Sequence, residues 1–186
     1  MSDEALKKLY PHTSQTVWDK AQSIKLVLFD VDGVFSDGRI YLGNHGEELK
    51  AFHTRDGYGI KALLAANISV AVITGRKSEL VAHRMAQLGV PYIYQGCSNK
   101  LEPYAQLISA LNISHSHVAY LGDDLVDLPV MQTCGLSAAV NDAHPWLRQH
   151  AQFITQSKGG FGAVRELCDV ILISQGLFFS AQGMSV

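Results

Sequence analysis

The chain has 186 residues, 47% apolar and 17% charged, a globular balance too apolar for disorder and without the glycine and proline excess of fibrous chains. Lys and Arg number 15 against 17 Asp and Glu, for a formal net charge of −2. That balance creates no general basic field, so neither nucleic acid nor an anionic membrane is an expected partner. No apolar run reaches the roughly 18 residues of a membrane span. The opening MSDEALKKLYPHTSQ has no apolar segment of the signal-peptide kind. Cys97, Cys134 and Cys168 show no C-x-x-C spacing and are odd in number, which argues against a disulfide framework or a zinc site and for reduced, buried thiols. A cytoplasmic protein is expected.

In chain order, residues 1–23 are polar and mixed, with a short helix expected around Val17 to Gln22. Ile24–Phe29 is a continuous apolar run ending at Asp30. Arg39–His53 (RIYLGNHGEELKAFH) reads as two short strands around Gly43-Asn44-His45-Gly46, a projecting hairpin. Helical patterns at Gly57–Ala66, Ser78–Leu88 and Glu102–Leu111 alternate with strand candidates at Ile68–Ile73, Pro91–Tyr94 and Val118–Leu121. Val126–Thr133 and Gly162–Ser174 are further helices, and Leu136–Val140 a weaker strand. Continuous rather than alternating apolarity predicts strands covered on both faces, and their alternation with helices predicts a doubly wound parallel α/β sheet.

Polar residues gather where the apolar runs stop: Asp30 and Asp32, Thr74-Gly75-Arg76, and Asp123, Asp124 and Asp127. Ligands of open α/β sheets bind at the carboxyl ends of strands, so these groups are expected at one sheet edge. Asp30 and Asp32, two residues apart on an extended segment, can face one cleft. Acidic groups so crowded repel one another, and a hard divalent cation such as Mg²⁺ relieves that repulsion. Lys100 and the amides after Thr74-Gly75 are placed to hold phosphate oxygens.

On these residues the chain resembles the haloacid dehalogenase-like phosphohydrolases: FDVDG, ITG, Lys100 and GDDLVD match their four motifs in order. Each motif is weak alone, and the ordered set is specific. The resemblance implies that Asp30 is the nucleophile, forming an aspartyl-phosphate, and that Asp32 is the general acid and then base. It implies Mg²⁺ held by Asp30, the Asp32 carbonyl and Asp123, phosphate held by Thr74, Gly75 and Lys100, and metal support from Asp127. Asp124 and Asp127 read equally as residues favoured at a helix N-terminus. Further matches, IKLVLFDVDGVFSDGRIY, FHTRDGYGI, ITGRKSE, YQG, GDDLVDLPVM and GGFGAVRE, resemble the capless branch that dephosphorylates an eight-carbon sugar-acid phosphate in lipopolysaccharide core synthesis. Phe35-Ser36 stands where that branch usually has Leu-Thr, and Ser36 keeps the hydroxyl. A hairpin and helix fill the stretch from Asp32 to Thr74, and a helix and strand fill that from Gly75 to Lys100, which leaves no room for a cap. The expected architecture is one domain over residues 1–186: a doubly wound parallel Rossmann-like sheet, a hairpin at about 39–53, a tail at about 176–186 and no cap domain.

Arg76, then Arg84 and Arg55, are candidates for a substrate carboxylate, since a guanidinium pairs with carboxylates through two prongs. Arg84 reads equally as a surface ion-pair partner, and Arg55 as a local partner of Asp56. His115 and His117 read as a loop-to-strand junction, and Gly159, Gly160 and Gly162 as a hinge before the last helix. Rival functions are a phosphatase of a nine-carbon keto-acid 9-phosphate, a capless phosphatase of macromolecules, and a silent interaction module. The resemblance implies a homotetramer built through the hairpins. The tail, with Leu177, Phe178 and Phe179, is a second possible lid.

Overall fold

A computed structural model describes residues 3–179. The chain enters through α1 (Asp3–Lys7) and α2 (Gln15–Ala21), then forms β1 (Leu26–Phe29). The hairpin strands β2 (Tyr41–Leu42) and β3 (Glu48–Leu49) follow, and α3 (Thr54–Ala65) leads into β4 (Ser69–Thr74). Next come α4 (Glu79–Leu88), β5 (Tyr92–Gln95), α5 (Leu101–Ala110) and β6 (Val118–Gly122). The last elements are α6 (Leu128–Met131), β7 (Leu136–Ala139), α7 (Pro145–His150), β8 (Phe153–Ile154) and α8 (Ala163–Ser174).

The main sheet has the order β5-β4-β1-β6-β7-β8, and every pairing in it is parallel. The chain builds outward from β1 through β4 and β5, then returns to the other side of β1 with β6. That reversal makes the ends of β1 and β6 the switch point, where loops diverge and leave a crevice. Leu26, Val27, Leu28 and Phe29 are fully buried, as expected of a central strand flanked by two others and covered on both faces. Phe35 keeps the apolar character of the following turn, its ring 5.4 Å from that of Phe29.

The strands and the main helices lie where the apolar runs put them, with ends shifted by a few residues. The expected helix Val126–Thr133 is split: a 3₁₀ turn at Leu125–Asp127 precedes a one-turn α6. Its start is tightened by a reciprocal cap in which the Asp127 carboxylate accepts the Asp124 amide and the Asp124 side chain accepts a returning backbone N–H. Helices α1 and α7 and strand β8 are further elements that no apolar run marks. Strand β8 is two residues long and pairs only through Ala138–Phe153 and Ala139–Ile154, too short to carry a periodicity.

The polar leader is pinned to the body. Tyr10 Oη donates to Asp169 of α8 at 2.6 Å, and His12 Nε2 lies 2.8 Å from Glu166. At the other end Leu177 and Phe178 pack against the core, so these two apolar groups have an intramolecular home. The rest of the expected tail, residues 180–186, lies outside the described residues.

Helix α8 has no side-chain cap of its own at Gly162. Its Arg165 amide donates instead to Asp56 of α3 at 2.9 Å. Asp56 is buried, its Oδ2 has no hydrogen-bond partner among the described residues, and desolvation pushes the carboxyl up to about 6. Asp56→Ala should therefore cost about 0.5–2 kcal/mol in urea unfolding, the worth of a lost cap, and Asp56→Asn much less. The native carboxyl holds its proton more tightly than the unfolded one, so ionising it costs stability as pH rises through about 4 to 6. The stability difference should accordingly shift in favour of Asp56→Asn over that range. A pH-independent difference would contradict this account.

Candidate active site

The segment after β1 turns tightly. The amides of Val34, Phe35 and Ser36 all donate to the Val31 carbonyl, and the Asp30 amide donates to Leu121 of β6. Gly33 makes the turn possible with φ +91°, and a Cβ there would sit 2.0 Å from Asp123 Oδ2. Only glycine lets the two strand ends approach this closely. A second glycine-rich segment presses on the same turn: the Gly160 amide donates to Val34 at 2.9 Å, and a Cβ on Gly159 would lie 1.7 Å from the Gly33 carbonyl oxygen. The SKGGFG stretch is thus a buttress of the turn.

Asp30, Asp123 and Asp127 each offer a carboxylate oxygen, all within 4.8 Å of one another. Lys100, at the start of α5, reaches into the group. Its Nζ lies 2.8 Å from Asp30 Oδ1 and 2.6 Å from Asp127 Oδ1, with 3% of the side chain exposed. Burial alone would lower this ammonium, but Asp30 and Asp127 hold it above its ordinary value. Asp30 and Asp123 are both pushed above the usual carboxylate range. Desolvation is the main cause for each, followed by the charge of Asp127 on Asp30 and that of Asp30 on Asp123.

Asp127 is saturated by donors. Lys100 and the Tyr120 hydroxyl bond its Oδ1, and the Asp123 and Asp124 amides bond its Oδ2. It therefore fixes Lys100 and the backbone that carries Asp123. Asp124 is exposed and caps the following turn through Leu125, in line with its reading as a helix N-terminal residue. The donor set suits a hard cation: oxygen ligands only, in excess of the single ammonium. Asp30 and Asp123 are the carboxylates with oxygens to spare.

Thr74 is buried at the end of β4, its carbonyl accepting the Cys97 amide at 3.1 Å, and Gly75 is exposed beside it. Arg76 is engaged by the hairpin, where Glu48 Oε2 meets its guanidinium at 2.8 Å. Asp32 is also met from the hairpin, its Oδ1 accepting from Lys50 Nζ. Arg84 is half-buried on α4 and makes no ion pair among the described residues. Arg55 lines a cavity of about 280 Å³ with Tyr10, Arg165, Glu166 and Asp169, and its guanidinium lies 3.3 Å from His53. It joins neither the carboxylate group nor Asp56. His115 and His117 form a 3₁₀ turn leading into β6, with His115 bonded to Tyr104. Of the cysteines, Cys134 and Cys168 are buried and Cys97 is half-buried.

Three residues of this arrangement were missed: Lys50, Glu48 and Tyr120. Tyr120 carried a signal, since a tyrosine inside a buried run must find a hydrogen-bond partner. Glu48 and Lys50 carried none beyond lying in a hairpin that starts near Asp32.

A parallel sheet with an aspartate ending its central strand, a second aspartate two residues on, a buried lysine and an acidic loop after the neighbouring strand defines a haloacid dehalogenase-like hydrolase. The family model of that description matches residues 92–167. The chain is 53% identical over 182 residues to the 3-deoxy-D-manno-octulosonate 8-phosphate phosphatase of Salmonella typhi, covering 98% of this chain and 97% of that one. The crystal structure of the enzyme of that name from Yersinia pestis superposes with a TM-score of 0.90 at 52% identity, covering 92% of this chain and 93% of that one. The Moraxella catarrhalis enzyme, solved with magnesium, phosphate and KDO, gives 0.86 at 42% identity over 88% and 94%. The chain belongs to the 3-deoxy-D-manno-octulosonate 8-phosphate phosphatase family.

Because burial pushes Asp123 up to about 8, a cation binding near neutral pH should displace its proton. Mg²⁺ titrated near neutral pH should release protons, and its apparent affinity should rise with pH. Calorimetry in two buffers of different ionisation enthalpy reads this directly. Identical heats in both would mean the carboxylates are already ionised.

Proposed function

We propose that this chain is a Mg²⁺-dependent phosphatase that hydrolyses 3-deoxy-D-manno-octulosonate 8-phosphate to the free sugar acid and inorganic phosphate, in lipopolysaccharide core biosynthesis. The observation that carries the reading is Asp30, bonded to a buried lysine at the end of the central strand, in a chain whose relatives bear that name over nearly their full length.

In this reading an Asp30 oxygen attacks phosphorus and forms an aspartyl-phosphate, while Asp32 protonates the leaving sugar oxygen. Asp32 then takes a proton from the water that hydrolyses the intermediate. Lys100, Thr74 and Gly75 hold the phosphate oxygens, with Lys100 kept in place by Asp127. Asp30, the Asp32 carbonyl and Asp123 would hold Mg²⁺, which neutralises charge on the transferring phosphoryl group when bound. Arg76 is the residue assigned to the substrate carboxylate. Its present partner, Glu48, makes that a competition between two carboxylates for one guanidinium.

The whole chain acts as one domain in this reading, and its hairpin seals the crevice by assembling with hairpins of other copies. Ile40, Tyr41, Leu42 and Leu49 are all exposed, a concentration of apolar groups on a two-stranded element that is marginal alone in water. A tetramer satisfies both features. Three free cysteines suit a reducing compartment, and no helix among the described residues is long and apolar enough to cross a membrane. The cytoplasm fits both.

Asp30→Asn should abolish phosphate release from the octulosonate 8-phosphate while leaving the unfolding midpoint near that of the wild type, and EDTA should do the same reversibly. A parallel assay with the nine-carbon 9-phosphate sets the chain length of the substrate. Near-normal turnover by purified Asp30→Asn would remove the mechanism. Light scattering at assay concentration should give about four subunits, and an active monomer would exclude hairpin assembly.

A further inference from the structure

We propose that Lys50, carried in by the hairpin, is the positioning residue that sets the orientation of Asp32 for proton transfer. The inference rests on the phosphatase reading above and extends it to a residue outside the four motifs.

The side chain of Lys50 is 2% exposed. A buried ammonium is costly unless it is paired, and its closest acidic partner is Asp32 Oδ1. Among the described residues Lys50 is also the one side-chain partner that Asp32 has. Behind it, Glu48 Oε1 lies 3.9 Å from the ammonium while Glu48 Oε2 holds Arg76 at 2.8 Å. Charges therefore alternate along Asp32, Lys50, Glu48 and Arg76, linking the turn after β1, the hairpin and the turn after β4. Each aspartate of the DVD sequence has its own lysine, Lys100 on Asp30 and Lys50 on Asp32, delivered by different elements.

The consequence is geometric. Asp32 stands on a turn with 23% of its side chain exposed, and Lys50 supplies the hydrogen bond that favours one of its staggered rotamers. With Oδ1 engaged, Oδ2 is the oxygen left for proton transfer. When an Asp30 oxygen bonds to phosphorus, the bond from phosphorus to the leaving oxygen breaks and its electron pair stays on that oxygen. The oxygen takes the proton from Asp32 Oδ2, and the new carboxylate remains bonded to Lys50 through Oδ1. Glu48 shares the ammonium, so the charge facing Asp32 is less than that of an isolated lysine.

Leaving-group dependence separates this role from anchoring the hairpin or binding phosphate. Substituted aryl phosphates from p-nitrophenyl to phenyl, assayed with the full-length Mg²⁺-loaded protein, need increasing proton assistance as the leaving group becomes more basic. The ratio kcat/KM covers steps only through the first cleavage. A misplacement of about 1 Å can cost on the order of 10²-fold, so Lys50→Met should lose about thirtyfold or more on phenyl phosphate and no more than about threefold on p-nitrophenyl phosphate. Lys50→Arg should restore most of the phenyl phosphate rate, and Lys50→Gln, which keeps an N–H donor if Met disturbs the hairpin, should show the same split in smaller measure. A parallel fall across the series, or no fall, would overturn the proposal and leave the phosphatase reading intact. Absence of wild-type turnover on every aryl phosphate would overturn the proposal as stated, while the octulosonate 8-phosphate assay decides the phosphatase reading separately. Because no sugar acid enters the assay, an error in the sugar assignment would not touch the result.

Discussion

Lys100 and Asp127 meet at 2.6 Å with almost no access to solvent, and the geometry of the strand ends depends on that contact. Breaking a buried pair by removing one partner is costly, because the other is left charged and unpaired. Here the remaining bonds raise the stakes. Asp127 also takes the Tyr120 hydroxyl and two successive amides, those of Asp123 and Asp124. The same carboxylate thus holds the lysine that touches Asp30 and the backbone that presents Asp123. Sheet order does the rest by placing β1 beside β6, so two residues far apart in sequence face each other across one crevice.

Around this centre the carboxylates are deliberately short of positive charge. One ammonium serves the three aspartates grouped there, and burial, followed by the charge of the neighbouring carboxylates, raises Asp30 and Asp123. A site in this state gains most from a cation, which supplies the missing positive charge. Stability and reactivity draw on one electrostatic deficit, which the fold tolerates because Asp127, the most buried member, is fully hydrogen-bonded.

The surrounding segments serve the turn after β1 from three directions. Gly159 and Gly160 press against it from the loop before α8, and that loop is held by Glu166, whose carboxylate accepts the Gln156 and Ser157 amides. Glu166 in turn meets His12 of the leader. From the opposite direction the hairpin contributes Glu48 and Lys50. A polar leader and a glycine-rich loop that look incidental in the sequence are in this way coupled to the segment that carries Asp30 and Asp32.

Much of the candidate site was legible in the chain itself. Asp30, Thr74, Asp123 and the first residues after them stand at the ends of continuous apolar runs, and a buried parallel sheet obliges such ends to share an edge. Lys100 was legible only through its place in an ordered set of motifs, since a single lysine before a helix is ordinarily a solvated one. What periodicity could not reach were the partnerships between distant segments: Lys50 with Asp32, Glu48 with Arg76, Tyr120 with Asp127, and Asp56 with the start of α8. The expected pairing of Arg55 with Asp56 failed for the same reason. Adjacency along the chain suggested a contact, whereas Asp56 is buried and accepts the Arg165 amide, and the Arg55 guanidinium lies against His53. Hydrophobic pattern dictates which face of each element is buried, because that depends on the residue and its neighbours alone. Which polar groups meet inside depends on how the elements are stacked and on the direction in which a short hairpin folds back, and only the assembled structure decides that.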